Sequence, residues 1–132
     1  MKWISKGKKK KYSFKRFFNS FGYAIKGIIA AIKTEQNLLI DLFFAIIVIV
    51  LGILLKISLI EFCILILSIG LVISFELINT AIEYTVDMAM PEIHPYAKIS
   101  KDVASGAVLF SAICSLAVGL IIFLPKIILF FE

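Results

Sequence analysis

The chain has 132 residues, 61% of them hydrophobic, and a formal net charge of +5. That length suits a single domain, and the positive mean hydropathy excludes an ordinary soluble globular protein. Cys63 and Cys114 both stand in apolar stretches away from any cluster of His or Cys, so neither disulfide nor zinc chemistry is suggested.

Residues 1–11 form a basic tail dominated by the run Lys6 to Lys11. No short apolar segment with a small-residue cleavage site follows it, so it does not read as a removable signal peptide. A basic cluster beside a membrane helix is drawn to anionic lipid by about 1 kcal/mol per charge. The tail is therefore assigned to the membrane surface and not to nucleic acid. Residues 12–132 form one membrane-embedded domain. From Phe14, the apolar positions Phe17, Phe18, Phe21, Ile25, Ile28, Ile29 and Ile32 recur as one face of a helix, with Lys15, Arg16, Asn19, Tyr23, Lys26 and Lys33 around the rest. This predicts an amphipathic helix over about 12–34 lying flat in the interface.

Three further helices are predicted over about 36–55, 60–88 and 97–124, each with a stretch near or above the roughly 20 apolar residues that a bilayer requires. Ten of the fourteen basic residues precede the first span. Lys98 and Lys101 lie between spans two and three, and only Lys56 and Lys126 fall on the other side. The positive-inside rule then places the N-terminus in the cytoplasm of a multi-pass cell-membrane protein. Lys56-Ile57-Ser58 reads as a tight outside turn, with Glu61 simply solvated next to it. Pro91 and Pro95 break the cytoplasmic loop, and Pro125 ends or bends the last span. Ser68, Gly70 and Ser74 in span two would let helices approach closely, as Gly22 and Gly27 would on the surface helix. Three spans make a thin bundle, which favours an oligomer.

Span two carries the chemistry. Glu76, Asn79, Thr80, Glu83 and Asp87 share one helical face at about 100° per residue, directly after fourteen apolar or small residues, Phe62 to Phe75. Ionisable groups at such depth are expensive and point to function. Glu35, in the polar link Thr34-Glu35-Gln36-Asn37, reaches the mouth of span one at a similar depth. Asp41 lies deeper and must find a partner or a proton. Glu92, His94, Lys98, Lys101 and Asp102 gather on the same side. Carboxylates with cations suggest phosphoryl transfer: Glu35 and Glu83 suit Mg²⁺, which takes one or two carboxylates plus phosphates, while Lys98 and Lys101 suit phosphate oxygens. Glu76, one turn deeper and drier, suits a general base for a lipid hydroxyl. The competing reading is a buried ion-pair and hydrogen-bond network that holds an oligomer together, as in an accessory subunit or small transporter. No Walker-type glycine loop or kinase catalytic-loop pattern is present to decide between them.

The run Glu76-Leu77-Ile78-Asn79-Thr80-Ala81-Ile82-Glu83 with Asp87, and the later His94-Pro95, Ala97 and Lys101-Asp102, closely resemble the signature of the prokaryotic diacylglycerol kinase and undecaprenol kinase family. The likeness extends to Arg16, Gly22, Tyr23, Lys26 and Gly27, to Glu35 with Asn37, and to Gly106-Ala107-Val108-Leu109. The resemblance implies an all-α homotrimer with active sites between subunits, using ATP and Mg²⁺ to phosphorylate a lipid alcohol. It implies Glu76 as catalytic base, Glu35 and Glu83 as magnesium carboxylates, and Glu76, Asn79 and Ser105 at the lipid. Arg16, Tyr23, Glu35, Glu83, Asp87, Glu92, His94, Lys101 and Asp102 are implied on the nucleotide side. Asp41 departs from the pattern, since relatives often carry His or Glu there. The tail Gly119 to Lys126 and the His94-Pro95 step resemble the Gram-positive branch, which acts on undecaprenol, with diacylglycerol as the alternative substrate.

Overall fold

Four helices account for nearly all of the chain in the computed structural model, which describes residues 13–132. The basic tail lies outside the described residues. The order is α1 (Phe14–Thr34), α2 (Gln36–Leu54), α3 (Leu59–Ala89) and α4 (Pro95–Phe131). Each of the last three is long and apolar enough to cross a membrane. At 1.5 Å per residue, α3 and α4 run about 46 and 55 Å, well beyond a hydrocarbon core of about 30 Å. The polar turns at the α3–α4 junction are thereby carried out of the apolar layer, to the end of the bundle where α1 joins α2.

The opposite end is closed by two interlocking caps. α2 stops in a Schellman arrangement: the Lys56 amide donates to the Ile53 carbonyl at 3.2 Å and the Ile57 amide to the Gly52 carbonyl at 3.1 Å. Lys56 takes the left-handed conformation usually given to glycine, with φ of 52°. Gly52 is needed for close approach, because a Cβ there would stand 3.0 Å from Ile57 Cδ1 and 3.3 Å from the Phe62 ring. α3 then starts with a capping box, in which Ser58 Oγ accepts from the Glu61 amide at 3.2 Å and the Ser58 amide donates to Glu61 Oε2 at 2.6 Å. Glu61 also pairs with Lys126 of α4 at 3.2 Å. It is thus a capping and cross-linking residue, not the merely solvated one expected from its interfacial position. Its chemistry as an N3 carboxylate was recoverable from Ser58 three residues before it.

α3 is the central helix, packed most extensively on α4 and less on α2. Ile57, Leu65, Ile122 and Phe123 form the buried apolar cluster near the capped end. α4 passes through Pro125 without a break and continues to Phe131, beyond the limit of about residue 124 expected from the proline. Membrane helices tolerate the lost amide where neighbours and local adjustment satisfy the freed carbonyl. Most large apolar residues, such as Phe44, Leu67, Phe110 and Ile121, face outward. That surface is what a bilayer or further protein covers, and the protein is a multi-pass membrane protein. Ser68 is buried, as a close-packing residue should be, whereas Gly22, Gly27 and Gly70 have nothing within 4 Å of an added Cβ.

Two substitutions test the capped end by thermal midpoints in detergent. Lys56→Gly is expected to stabilise by about 1 kcal/mol, because it relieves a left-handed residue of its side chain. Gly52→Val is expected to cost about 1–3 kcal/mol by overpacking against Ile57 and Phe62.

Candidate active site

At the other end, α3 turns its polar stripe toward α2 and α4. Glu76 is only 5% exposed and Thr80 4%, although both carry polar groups inside a spanning helix. Thr80 satisfies its hydroxyl by donating to the Glu76 carbonyl at 3.0 Å. A pocket of about 310 Å³ opens beside Glu76, lined also by Asn37 and Asp41 of α2, Asn79 of α3 and Ser105 of α4. The carboxylates of Asp41, Glu35 and Glu83 all stand within electrostatic reach of Glu76. Glu76 and Asp41 thus meet at one pocket from α3 and α2, and Glu35 and Glu83 are near enough to bear on Glu76 electrostatically.

Asn79 holds an informative position. Its Nδ2 donates to Glu83 Oε1 at 3.2 Å, and since a carboxylate only accepts, this fixes which way the amide points. Its Oδ1 is then left buried with no hydrogen-bond partner. An orphaned acceptor at a polar pocket calls for a donor from outside the chain, and a hydroxyl or a water-bearing ion supplies one. Ser105 brings a hydroxyl to the same pocket from α4.

Nearer the membrane surface, Lys101 of α4 pairs with Asp87 of α3 at 2.6 Å. Lys98 and Asp102 form a second pair, one turn apart on α4. The first pair ties the last turn of α3 to the start of α4, the second lies within α4, and together they leave two lysines at the pocket end of the bundle. His94 is the N-cap of α4: its Nδ1 accepts from the Tyr96 amide at 3.2 Å and its ring stacks on that of Tyr96. Pro95 follows at the first helical position, where its missing amide costs nothing. The step His94-Pro95 is thus a helix start as well as a candidate nucleotide contact. Glu92 is exposed in the preceding loop.

Arg16 and Tyr23 are not brought to the pocket of their own chain. Both are exposed on α1, whose one buried residue is Ala31 near its far end. Measured along the helix, Arg16 lies about 27 Å and Tyr23 about 16 Å before Thr34. Sequence reasoning in turn left Asp41 without a place, and the structure puts it in the pocket wall. The available signal was its spacing of four from Asn37, which sets both on the face of α2 turned to α3.

For a divalent cation, no group of three or more His, Cys, Asp or Glu side chains forms a ready cage among the described residues. Glu35 and Glu83 offer carboxylate oxygens, the donor type that Mg²⁺ takes alongside phosphate oxygens and water.

Together these features define a helical membrane protein with a polar pocket between its spanning helices, lined by the carboxyls of Asp41 and Glu76, and ion pairs at the same end of the bundle. The chain belongs to the prokaryotic diacylglycerol kinase family, whose profile matches residues 22–123. It is 46% identical over 112 residues to the undecaprenol kinase of Bacillus subtilis, an alignment spanning 85% of this chain and 91% of that one. It is 40% identical over 109 residues to a diacylglycerol kinase of Synechocystis, spanning 82% and 62% of the two chains. A Helicobacter pylori diacylglycerol kinase is 38% identical over 100 residues, spanning 76% and 78%. Membership makes the protein a lipid kinase, a transferase with ATP as phosphoryl donor.

Because a desolvated carboxyl opposes folding unless fully paired, Glu76→Gln should keep the helix content and leave the thermal midpoint unchanged or raised. Circular dichroism melts in detergent check this. A drop of several degrees would mean that the Glu76 carboxyl holds the bundle together.

Proposed function

We propose that the protein phosphorylates undecaprenol to undecaprenyl phosphate at the cytoplasmic face of the cell membrane, with ATP and Mg²⁺. The observation that carries this reading is the buried Glu76 carboxyl lining a polar pocket at the mouth of a spanning helix. A lipid alcohol presents its hydroxyl at that depth. The identity to the Bacillus subtilis undecaprenol kinase over nearly the whole of both chains supports the choice of alcohol. A diacylglycerol kinase is the second reading, favoured by the names of the other relatives.

Glu76 accepts the hydroxyl proton as the lipid oxygen bonds to the γ-phosphorus of ATP. The bond from that phosphorus to the bridging oxygen breaks, and ADP leaves with the bridging oxygen. Asn79 Oδ1 and Ser105 orient the hydroxyl, while Glu83 is held by the Asn79 amide. Glu35 and Glu83 would hold Mg²⁺, which neutralises charge on the phosphate oxygens. Asp87, Glu92, His94, Lys101 and Asp102 face the nucleotide, with the lysine drawing the phosphates from its pairing with Asp87. Arg16 and Tyr23 reach a site only from another copy of the chain, which supports a homotrimer with active sites between subunits. α1 then lies in the interface, its row of phenylalanines and isoleucines in the acyl region.

Transfer of labelled phosphate from ATP in mixed micelles, with undecaprenol and diacylglycerol side by side, tests the reading. Glu76→Gln is expected to lower turnover by about 10²–10⁴-fold, the usual contribution of a positioned base. Turnover at the parental rate in that variant would remove Glu76 from the chemistry. Lys101→Met is expected to raise the KM for ATP about tenfold with little change in the KM for lipid, as loss of a charge-assisted contact to phosphate should.

A further inference from the structure

The polar pocket is not closed at its deep end. A second, larger cavity of about 450 Å³ continues from it along the bundle, and Asp41 and Ala112 line both. Apart from Asp41 and Ser115, its walls are aliphatic, aromatic or glycine. It runs between α2 and α4 over the surface of α3, where those two helices are splayed. Leu65 and Phe123, members of the buried apolar cluster, line its far end. The result is an apolar groove at hydrocarbon depth, with a carboxylate pocket at one end and a plug at the other.

We propose that this groove takes the hydroxyl-proximal part of the prenyl chain and sets how much of the lipid the enzyme reads. The inference rests on the lipid-alcohol kinase reading given above and concerns what that reading leaves open, the length of chain recognised. Continuity decides the occupant. A chain attached to a hydroxyl beside Glu76 leaves the polar pocket at Asp41 and Ala112 and enters the groove directly.

Two measures of the groove agree on how much chain it holds. At interior packing density a five-carbon isoprene unit fills on the order of 120 Å³, so the cavity accommodates about three to four units. Along α4 the groove extends from Ala112 to Ile127, about 22 Å of helix rise and close to the length of about four extended units. The rest of an undecaprenyl chain stays in the bilayer. Lipid tails are as apolar as the groove, so recognition comes from shape and contact, not from removal of water. Diacylglycerol would bring two ester groups to the groove mouth, where Asp41 and Ser115 are the polar lining residues.

Gly119 provides the probe. It lines the groove two turns beyond Ala112, about 10 Å along the helix and about two isoprene units from the polar end. A Cβ added there meets nothing within 4 Å, so a side chain can start from this wall of the groove without backbone strain or a first-atom clash.

The experiment uses the full chain in mixed micelles, with prenols of two, four and eleven isoprene units and Gly119→Leu beside the parent. In the parent, KM in mole per cent should fall about fivefold from two to four units and change less than about twofold from four to eleven. Gly119→Leu should raise the KM of the longer prenols at least about fivefold more than that of the two-unit prenol. A four-unit prenol bearing a photoreactive group on its third unit should label α4 near Gly119, and the substitution should abolish the labelling. KM that keeps falling to eleven units, or a variant that affects all prenols alike, would overturn the proposal. Loss of the oligomer in Gly119→Leu together with all activity would also overturn it, assigning the groove to contact between subunits. If the parent transfers phosphate to no alcohol, the kinase reading fails. The photolabel then decides the groove alone: labelling at Gly119 upholds it as a prenyl-chain site, and no labelling removes it.

Discussion

The structure turns on the cost of keeping carboxyl groups on a helix that crosses a membrane. Glu76 is almost wholly covered by protein, Asp41 lines the same pocket, and Glu35 and Glu83 stand within electrostatic reach. Lipid cannot solvate such groups, so the neighbouring helices must. α3 is accordingly the central helix, with α2 and α4 against its polar stripe. The length of α3 and α4 follows from the same requirement, since the upper turns must reach water while the lower turns remain in hydrocarbon. Even so, one chain covers the stripe on two sides only. The apolar faces left bare on all three spanning helices fit either lipid or further subunits.

Much of this was written in simple patterns. Spanning lengths and the shared face of Glu76, Asn79, Thr80, Glu83 and Asp87 follow from composition and helical period, and these survive any detail of packing. What periodicity cannot carry is the partner of each polar group. The capping role of Glu61 was marked by Ser58 three residues before it, but its pairing with Lys126 links residues far apart in the chain and leaves no local pattern. Asp41 looked costly because its companions Glu76 and Ser105 come from other helices. Pro125 reads as a helix end by local rules that hold in water, and a membrane relaxes those rules.

The site itself was half legible. A motif names residues without their geometry, so the unsatisfied Asn79 oxygen and the cap formed by His94 emerge only in three dimensions. Arg16 and Tyr23 belong to the pattern yet stand apart from the pocket, since α1 packs on the bundle only near Ala31. The apolar groove had no sequence signal at all. Its walls are ordinary spanning residues, and the gap arises from how α2 and α4 lean on α3.

The four-residue link between α2 and α3, Leu55 to Ser58, has a consequence for biosynthesis. Its backbone is satisfied by the Schellman bonds and the capping box, and it carries one lysine. A pair of helices joined so tightly can enter the membrane as a preformed hairpin. Almost no polar mass lies at this turn, so little has to cross the apolar layer for the pair to reach its final position.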